Sequence, residues 1–182
     1  DRGIEVVFDQ TVIAVEGDPG GLTAQLSDGT SRACGGVLMA TGRRPWLQDL
    51  GLQEAGINIE AGRIKVDSDS CTSVAHIAAV GDVTDRVNLT PVAIDEGRAF
   101  ADSAFGTRHR RVDHELVASA VFSDPELATV GLSEEAAIER FGAEGVVVHR
   151  ARFRSMSRSL PASGPRCLLK LVLEMASDRV LG

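Results

Sequence analysis

The chain has 182 residues, enough to bury one good core or two small ones. Its 43% hydrophobic and 25% charged residues are the balance of a soluble globular protein, and a formal charge of −7 argues against nucleic acid or an anionic membrane as partner. No apolar run approaches the roughly 18 residues needed to cross a bilayer, and no secretory signal is visible.

Cys34, Cys71 and Cys167 are odd in number and lack CxxC spacing, which speaks against a disulfide framework or a metal site. Reduced, structural thiols in a cytoplasmic or plastid-like compartment are expected.

Residues 1 to about 44 read as short strands. Ile4, Val6 and Phe8 alternate with mostly polar neighbours, as do Leu22, Ala24 and Leu26. The continuous apolar run Val12–Val15 predicts a strand covered on both faces. Asp18-Pro19-Gly20-Gly21 and Ser27-Asp28-Gly29-Thr30 are turn signals. Val37-Leu38-Met39-Ala40 predicts a buried strand leading into Gly42 and Arg43.

From 45 to about 115, Leu47–Ala55 reads as a loop with a short helical turn. Strands are predicted at Ile64–Val66 and Ile77–Val80, joined through Thr72 and Ser73. The second strand ends at Gly81-Asp82. After a polar loop, Thr90 reads as an N-cap and Pro91 as the first residue of a helix to about Ala104. Ala93, Gly97, Ala99, Phe100 and Ala101 give that helix a small packing side.

This stretch has a chemical reading. A strand of an open α/β sheet delivers its last residues to the carboxyl edge, where ligands bind. There Gly81 permits close backbone approach, and Asp82 can accept hydrogen bonds from sugar or sugar-alcohol hydroxyls. The helix start presents unpaired N–H groups and partial positive charge, which would stabilise a reduced flavin's negative end. A plain strand–loop–helix with a surface aspartate is the competing reading. The basic knot Arg108-His109-Arg110-Arg111 is either a solvated loop or an electrostatic contact for an anionic substrate or a partner subunit.

From about 116 the pattern becomes α+β. Strands are predicted at Ala118–Phe122, Ala128–Val130, Val146–Phe153 and Leu168–Leu173. Ser133 is an N-cap candidate, with Glu134 and Glu135 suiting the positive end of a helix that stops near Phe141-Gly142. Ser177-Asp178 reads as a turn into Val180-Leu181.

Three motifs in this order carry a family resemblance. Ala40-Thr41-Gly42-Arg43-Arg44-Pro45 resembles the ATGRxP signature of pyridine nucleotide-disulfide oxidoreductases. The string Ala79 to Arg86, with Asn88–Ala93 and Glu96–Ala101, resembles their second FAD motif. Val121-Phe122-Ser123-Asp124-Pro125 and Thr129–Glu134 resemble the start of their dimerisation domain. Within the family, Leu89-Thr90-Pro91 and Arg98 are most similar to the glutathione reductases. Trypanothione reductases, thioredoxin reductases and dihydrolipoamide dehydrogenases are the alternatives, and a noncatalytic dimerisation or binding module is the alternative of a different class.

The resemblance implies mixed α/β and α+β architecture in three parts. Residues 1–44 would be the end of an NADPH-binding domain, 45–115 a central segment completing an FAD-binding domain, and 116–182 most of a dimerisation domain. It implies FAD and NADPH as cofactors, glutathione disulfide as substrate and a homodimer formed through the C-terminal domain.

By the same resemblance, Asp82 beside Gly81 holds the ribityl-phosphate region of FAD, and Leu89-Thr90 at the helix start meet the flavin ring. Asn88 lies near the nicotinamide, Gly42 lies against NADPH, and the Val121 backbone reaches the carboxamide. An ordinary core valine is the competing reading of Val121. Arg98 meets glutathione, against the alternative of a helix-surface salt bridge with Asp95 or Asp102.

The family mechanism also uses a C-x-x-x-x-C disulfide and a His-Pro histidine. Neither is here, since no cysteine pair has that spacing and none of His76, His109, His114 or His149 precedes a proline. The chain is therefore expected to be an internal-to-C-terminal piece of an enzyme, with binding residues, no catalytic residue, and no reductase activity by itself.

Overall fold

In the computed structural model, which describes residues 3–156, 160 and 166–182, the chain divides into two units, one ending at Arg43 and the other running from Arg44 to Gly182. The first is an antiparallel meander of β1 (Val12–Asp18), β2 (Gly21–Leu26) and β3 (Ser31–Cys34). Asp28 shapes the β2–β3 turn by accepting from the Thr30 N–H at 2.8 Å and its hydroxyl at 2.7 Å, and these bonds hold its carboxyl below the usual value.

Three expectations fail in this unit. Ala24 and Leu26 of β2 are buried, but β1 is exposed along most of its length, so Val12–Val15 is not covered on both faces. Ile4–Phe8 and Val37–Ala40 form no strand, and Phe8 and Leu38 are 79% and 90% exposed. An apolar pattern marks chain that would gain from burial, but a strand also needs a ladder partner. None of the described residues supplies one.

The second unit holds two cores. The first is Ile57, Ile64 and Ala79, with Leu47, Leu52, Val66, Val74, Ile77 and Val83 packed around them. The short hairpin of β4 (Ile59–Glu60) and β5 (Arg63–Ile64) turns through Ala61 and Gly62, both at positive φ, the arrangement of a type I′ turn. The predicted strand at Ile77–Val80 is an extended segment with one bridge, Cys71 to Ala78, because no second strand lies alongside it among the described residues.

Helix α1 runs Thr90–Phe105 and buries Val92, Glu96 and Ala99. Its N-cap is Leu89, not Thr90. Leu89 is extended, makes no side-chain cap, and its carbonyl accepts the Ala93 N–H at 3.0 Å, so Thr90 is already helical. Proline in the first turn sets this entry, since it needs no N–H there. After the helix, the Ser103 hydroxyl donates to the Arg110 carbonyl at 3.0 Å and accepts the Arg110 N–H at 2.9 Å, closing the intervening loop.

The second core gathers Ala137, Val172 and Leu181 with Leu132, Phe141, Val146 and Val148. Helix α2 (Glu134–Phe141) follows a two-stranded pair of β6 (Ser119–Val121) and β7 (Leu127–Thr129). As expected, Ser133 caps α2, accepting the Ala136 N–H at 3.1 Å, and Gly142 ends it at φ 79°. The hairpin of β8 (Val146–Phe153) and β9 (Cys167–Glu174) pairs along its whole length, from Val146 with Glu174 to Phe153 with Cys167. Asp178, at φ 55°, turns the chain so that Val180 bridges Leu173. Glu134 pairs with Arg150 and Lys170, tying α2 to the hairpin.

Candidate functional site

Six of the eight predicted site residues fall on one stretch, from Gly81 to Arg98. Gly81 opens a single 3-10 turn, Gly81–Thr84, at φ 73°. A β-carbon there would lie 3.1 Å from the Ala93 methyl, a tight contact with α1, and the left-handed backbone itself favours glycine. The sequence suggests close backbone approach at Gly81 and gives no sign of this packing against Ala93.

Both peptide groups of Gly81 are held. Its N–H donates to Glu96 Oε2 at 2.6 Å, and its carbonyl accepts the buried Thr84 hydroxyl at 2.8 Å. Asp82 follows directly as the second residue of the turn, with an exposed side chain.

The link to α1 is equally defined. Asp85 takes a left-handed conformation, and its carboxylate accepts the Asn88 amide at 2.6 Å. Asn88 and Thr90 are exposed and Leu89 is half-buried. The first turn of α1 has neither a side-chain cap nor an acidic residue, so its backbone donors and positive end remain suited to an anionic or carbonyl-rich group. Asp82 and this helix start together fit a flavin nucleotide: a carboxylate for hydroxyls, and N–H groups for a ring edge.

Arg98 is exposed two turns further along α1 and makes no ion pair with any described residue. Its expected competing partner Asp95 is instead bound by Arg110 at 2.5 Å. The other two predicted residues lie elsewhere. Gly42, in the first unit, is exposed at φ 99°, and no atom lies within 4 Å of where a β-carbon would stand, which suits a surface that a ligand can approach. Val121 ends β6, pairs with Leu127 and is 58% exposed, so it is no core valine.

Sequence reasoning missed Glu96. It is 2% exposed, and besides the Gly81 N–H it takes Arg86 Nη2 at 2.8 Å and His114 Nε2 at 2.7 Å, both on Oε1. The readable signal was position: Glu96 lies between Val92 and Ala99 on the buried face, where a carboxylate requires partners.

Three residues of the basic knot are paired within the chain. Arg111 binds Asp69 through two bonds of 2.7 Å, His109 lies 3.2 Å from the same carboxylate, and Arg110 takes Asp95. An open depression of about 280 Å³ lined by Asn58, Lys65, Asp67, Cys71 and Ser73 includes none of the predicted site residues.

Comparison with known proteins identifies the family. A family model for pyridine nucleotide-disulphide oxidoreductases matches residues 1–97, and one for the dimerisation domain of the same proteins matches 117–182. A glutathione reductase of Nostoc sp. is 43% identical over all of this chain and 42% of its own length. One of Burkholderia cepacia is 44% identical over 99% of this chain and 40% of its own.

The chain thus spans about two fifths of the curated relatives it matches. Among solved structures, LpdA of Mycobacterium tuberculosis superposes with a TM-score of 0.87 at 25% identity, over 99% of this chain and 39% of that one. No helix among the described residues is long and apolar enough to cross a membrane. With more than half its length matched by the first of these family models, the chain belongs to the pyridine nucleotide-disulphide oxidoreductases.

Proposed function

We propose that the chain is a segment of an FAD-dependent NADPH:glutathione-disulfide reductase that acts as a homodimer in the cytoplasm or a plastid. Residues 1–44 belong to its NADPH-binding domain, 45–115 to its FAD-binding domain and 116–182 to its dimerisation domain. The observation that carries the reading is the join of the Gly81–Asp82 turn to an uncapped α1, within a chain 43–44% identical to two glutathione reductases.

FAD, when bound, supplies the redox chemistry between NADPH and the substrate disulfide. Asp82 accepts hydrogen bonds from the cofactor's ribityl-phosphate region, and Thr90 with Leu89 presents the positive end of α1 to the ring. Asn88 borders the nicotinamide side, Gly42 leaves room for NADPH, and Val121 offers its backbone to the carboxamide. Arg98 grips a carboxylate of glutathione disulfide from a point about 12 Å along the axis from Thr90. The thiol pair and the acid–base histidine belong to parts of the enzyme outside these residues.

The test is to purify the full-length protein, record its flavin absorbance, and follow NADPH oxidation with glutathione disulfide, trypanothione disulfide and lipoamide. Bound flavin and a marked preference for glutathione disulfide are expected. A colourless protein would overturn the flavin reading, and a preference for another disulfide would overturn the substrate.

A further inference from the structure

We infer that Glu96 is a positioning residue for the proposed flavin site, acting through the backbone of Gly81 to set the direction of Asp82. The inference rests on the flavin reading above. It concerns a residue that makes no contact of its own with cofactor or substrate.

The geometry is that of a clamp with a braced jaw. Glu96 Oε2 accepts the Gly81 N–H at 2.6 Å while the Thr84 hydroxyl donates to the Gly81 carbonyl at 2.8 Å. With both polar groups of Gly81 held and its φ fixed at 73°, the peptide plane leading into Asp82 has one orientation. The other carboxylate oxygen is braced from two sides, by Arg86 Nη2 at 2.8 Å and His114 Nε2 at 2.7 Å. Arg86 is itself anchored, through Nη2 on the Ser70 hydroxyl at 3.0 Å and through Nε on the Thr84 hydroxyl at 3.3 Å. The four partners of Glu96 and Arg86 thus come from the 70s loop, the 3-10 turn and the connector after α1.

Glu96 occupies a buried helix position between Val92 and Ala99, and an apolar replacement of it alone would cost stability by leaving the Arg86 guanidinium without its carboxylate. An apolar residue there would leave the Gly81 N–H without its acceptor. The turn preceding Asp82 would then keep only the Thr84 half of the clamp. What the carboxylate adds is therefore a fixed backbone immediately before the residue proposed to hold FAD.

The experiment compares FAD dissociation constants of the full-length apoprotein for wild type, Glu96→Gln and Glu96→Ala. Thermal unfolding of each apoprotein and the visible absorption band of each flavin-saturated form are recorded alongside. Loss of a charged hydrogen bond predicts FAD binding weaker by about tenfold in Glu96→Ala. Glu96→Gln, which keeps an acceptor oxygen for Gly81, is expected to recover most of that loss. The flavin band should change shape in the alanine variant, a change that simple loss of fold stability would not produce.

Wild-type affinity and an unchanged band in both variants, even with lower unfolding temperatures, would overturn the inference. Should Glu96→Ala fail to fold, His114→Ala removes one brace and leaves α1 intact. It must weaken FAD by more than about twofold, and unchanged binding there overturns the inference equally. A wild-type protein that binds no FAD at all would instead sink the flavin reading on which it rests.

Discussion

Arg111 holds Asp69 with both ends of its guanidinium, Nε on Oδ1 and Nη2 on Oδ2, each at 2.7 Å, across 42 residues of sequence. The pair fastens the connector after α1 to the loop before Cys71. The hydrogen bond from Arg111 holds the Asp69 carboxyl below its ordinary value of 3.8, and the nearby His109 adds to the effect.

A carboxyl whose pKa falls on folding contributes stability that is complete above its unfolded value and disappears as pH falls through its folded value. Asp69→Asn should therefore lower the unfolding temperature at neutral pH. The gap to wild type should close as pH drops below about 4. A gap that stays constant in acid would show that the carboxylate charge is not what matters.

Asp82→Ala in the full-length enzyme removes an acceptor of charge-assisted hydrogen bonds, worth on the order of 1.5–3 kcal/mol each. FAD retention after dialysis should fall by roughly one to two orders of magnitude. Because the side chain is exposed, its loss leaves no cavity, and the apoprotein should still fold. Full flavin content in the dialysed variant would rule out the assigned role.

Arg98→Ala should raise the KM for glutathione disulfide by about tenfold, with FAD content and NADPH affinity close to wild type. The exposed guanidinium has no ion-pair partner among the described residues, so little stability should be lost. If the KM stays unchanged while the unfolding temperature drops, Arg98 serves the helix surface and the choice of glutathione loses its nearest residue.

Ser133→Ala tests the second core. The serine hydroxyl is the acceptor for the Ala136 N–H, and its removal leaves that donor to solvent at a cost of about 0.5–2 kcal/mol. Denaturant titration should show a lower midpoint with the same slope, and Ser133→Asp should restore it. A midpoint equal to wild type in Ser133→Ala would mean that α2 is held by Ala137 and its neighbours without help from the cap.

Elements whose signals are local were legible from sequence. The proline in the first turn of α1, the Ser133 cap and Gly142 stop of α2, the Val146–Val148 run of β8 and the leucine-rich β9 all led to the right element within a residue or two. Ile4–Phe8, Val37–Ala40 and Ile77–Val80 carry equally good strand patterns and form no ladder, because pairing depends on a second segment that a period cannot supply.

The candidate site divides in the same way. Gly81, Asp82 and the helix start lie within ten residues of one another and are readable as a motif. The Glu96 cluster draws Arg86 and His114 from separate loops, and only the fold brings them together. The run Arg108–Arg111 misleads for the converse reason: its charge is obvious, while its partners Asp69 and Asp95 are distant in sequence.

The two hydrogen bonds between Ser103 and Arg110 make the segment between them a closed ring whose feet cannot separate while both stand. Thr107 and Arg108 sit at its exposed tip. Lengthening a loop whose ends are already fixed costs little, since the closure entropy grows only with the logarithm of length. This tip is consequently the place to graft a fluorescent or affinity peptide into the chain, with α1 on one side and the Arg110–Arg111 anchors on the other undisturbed.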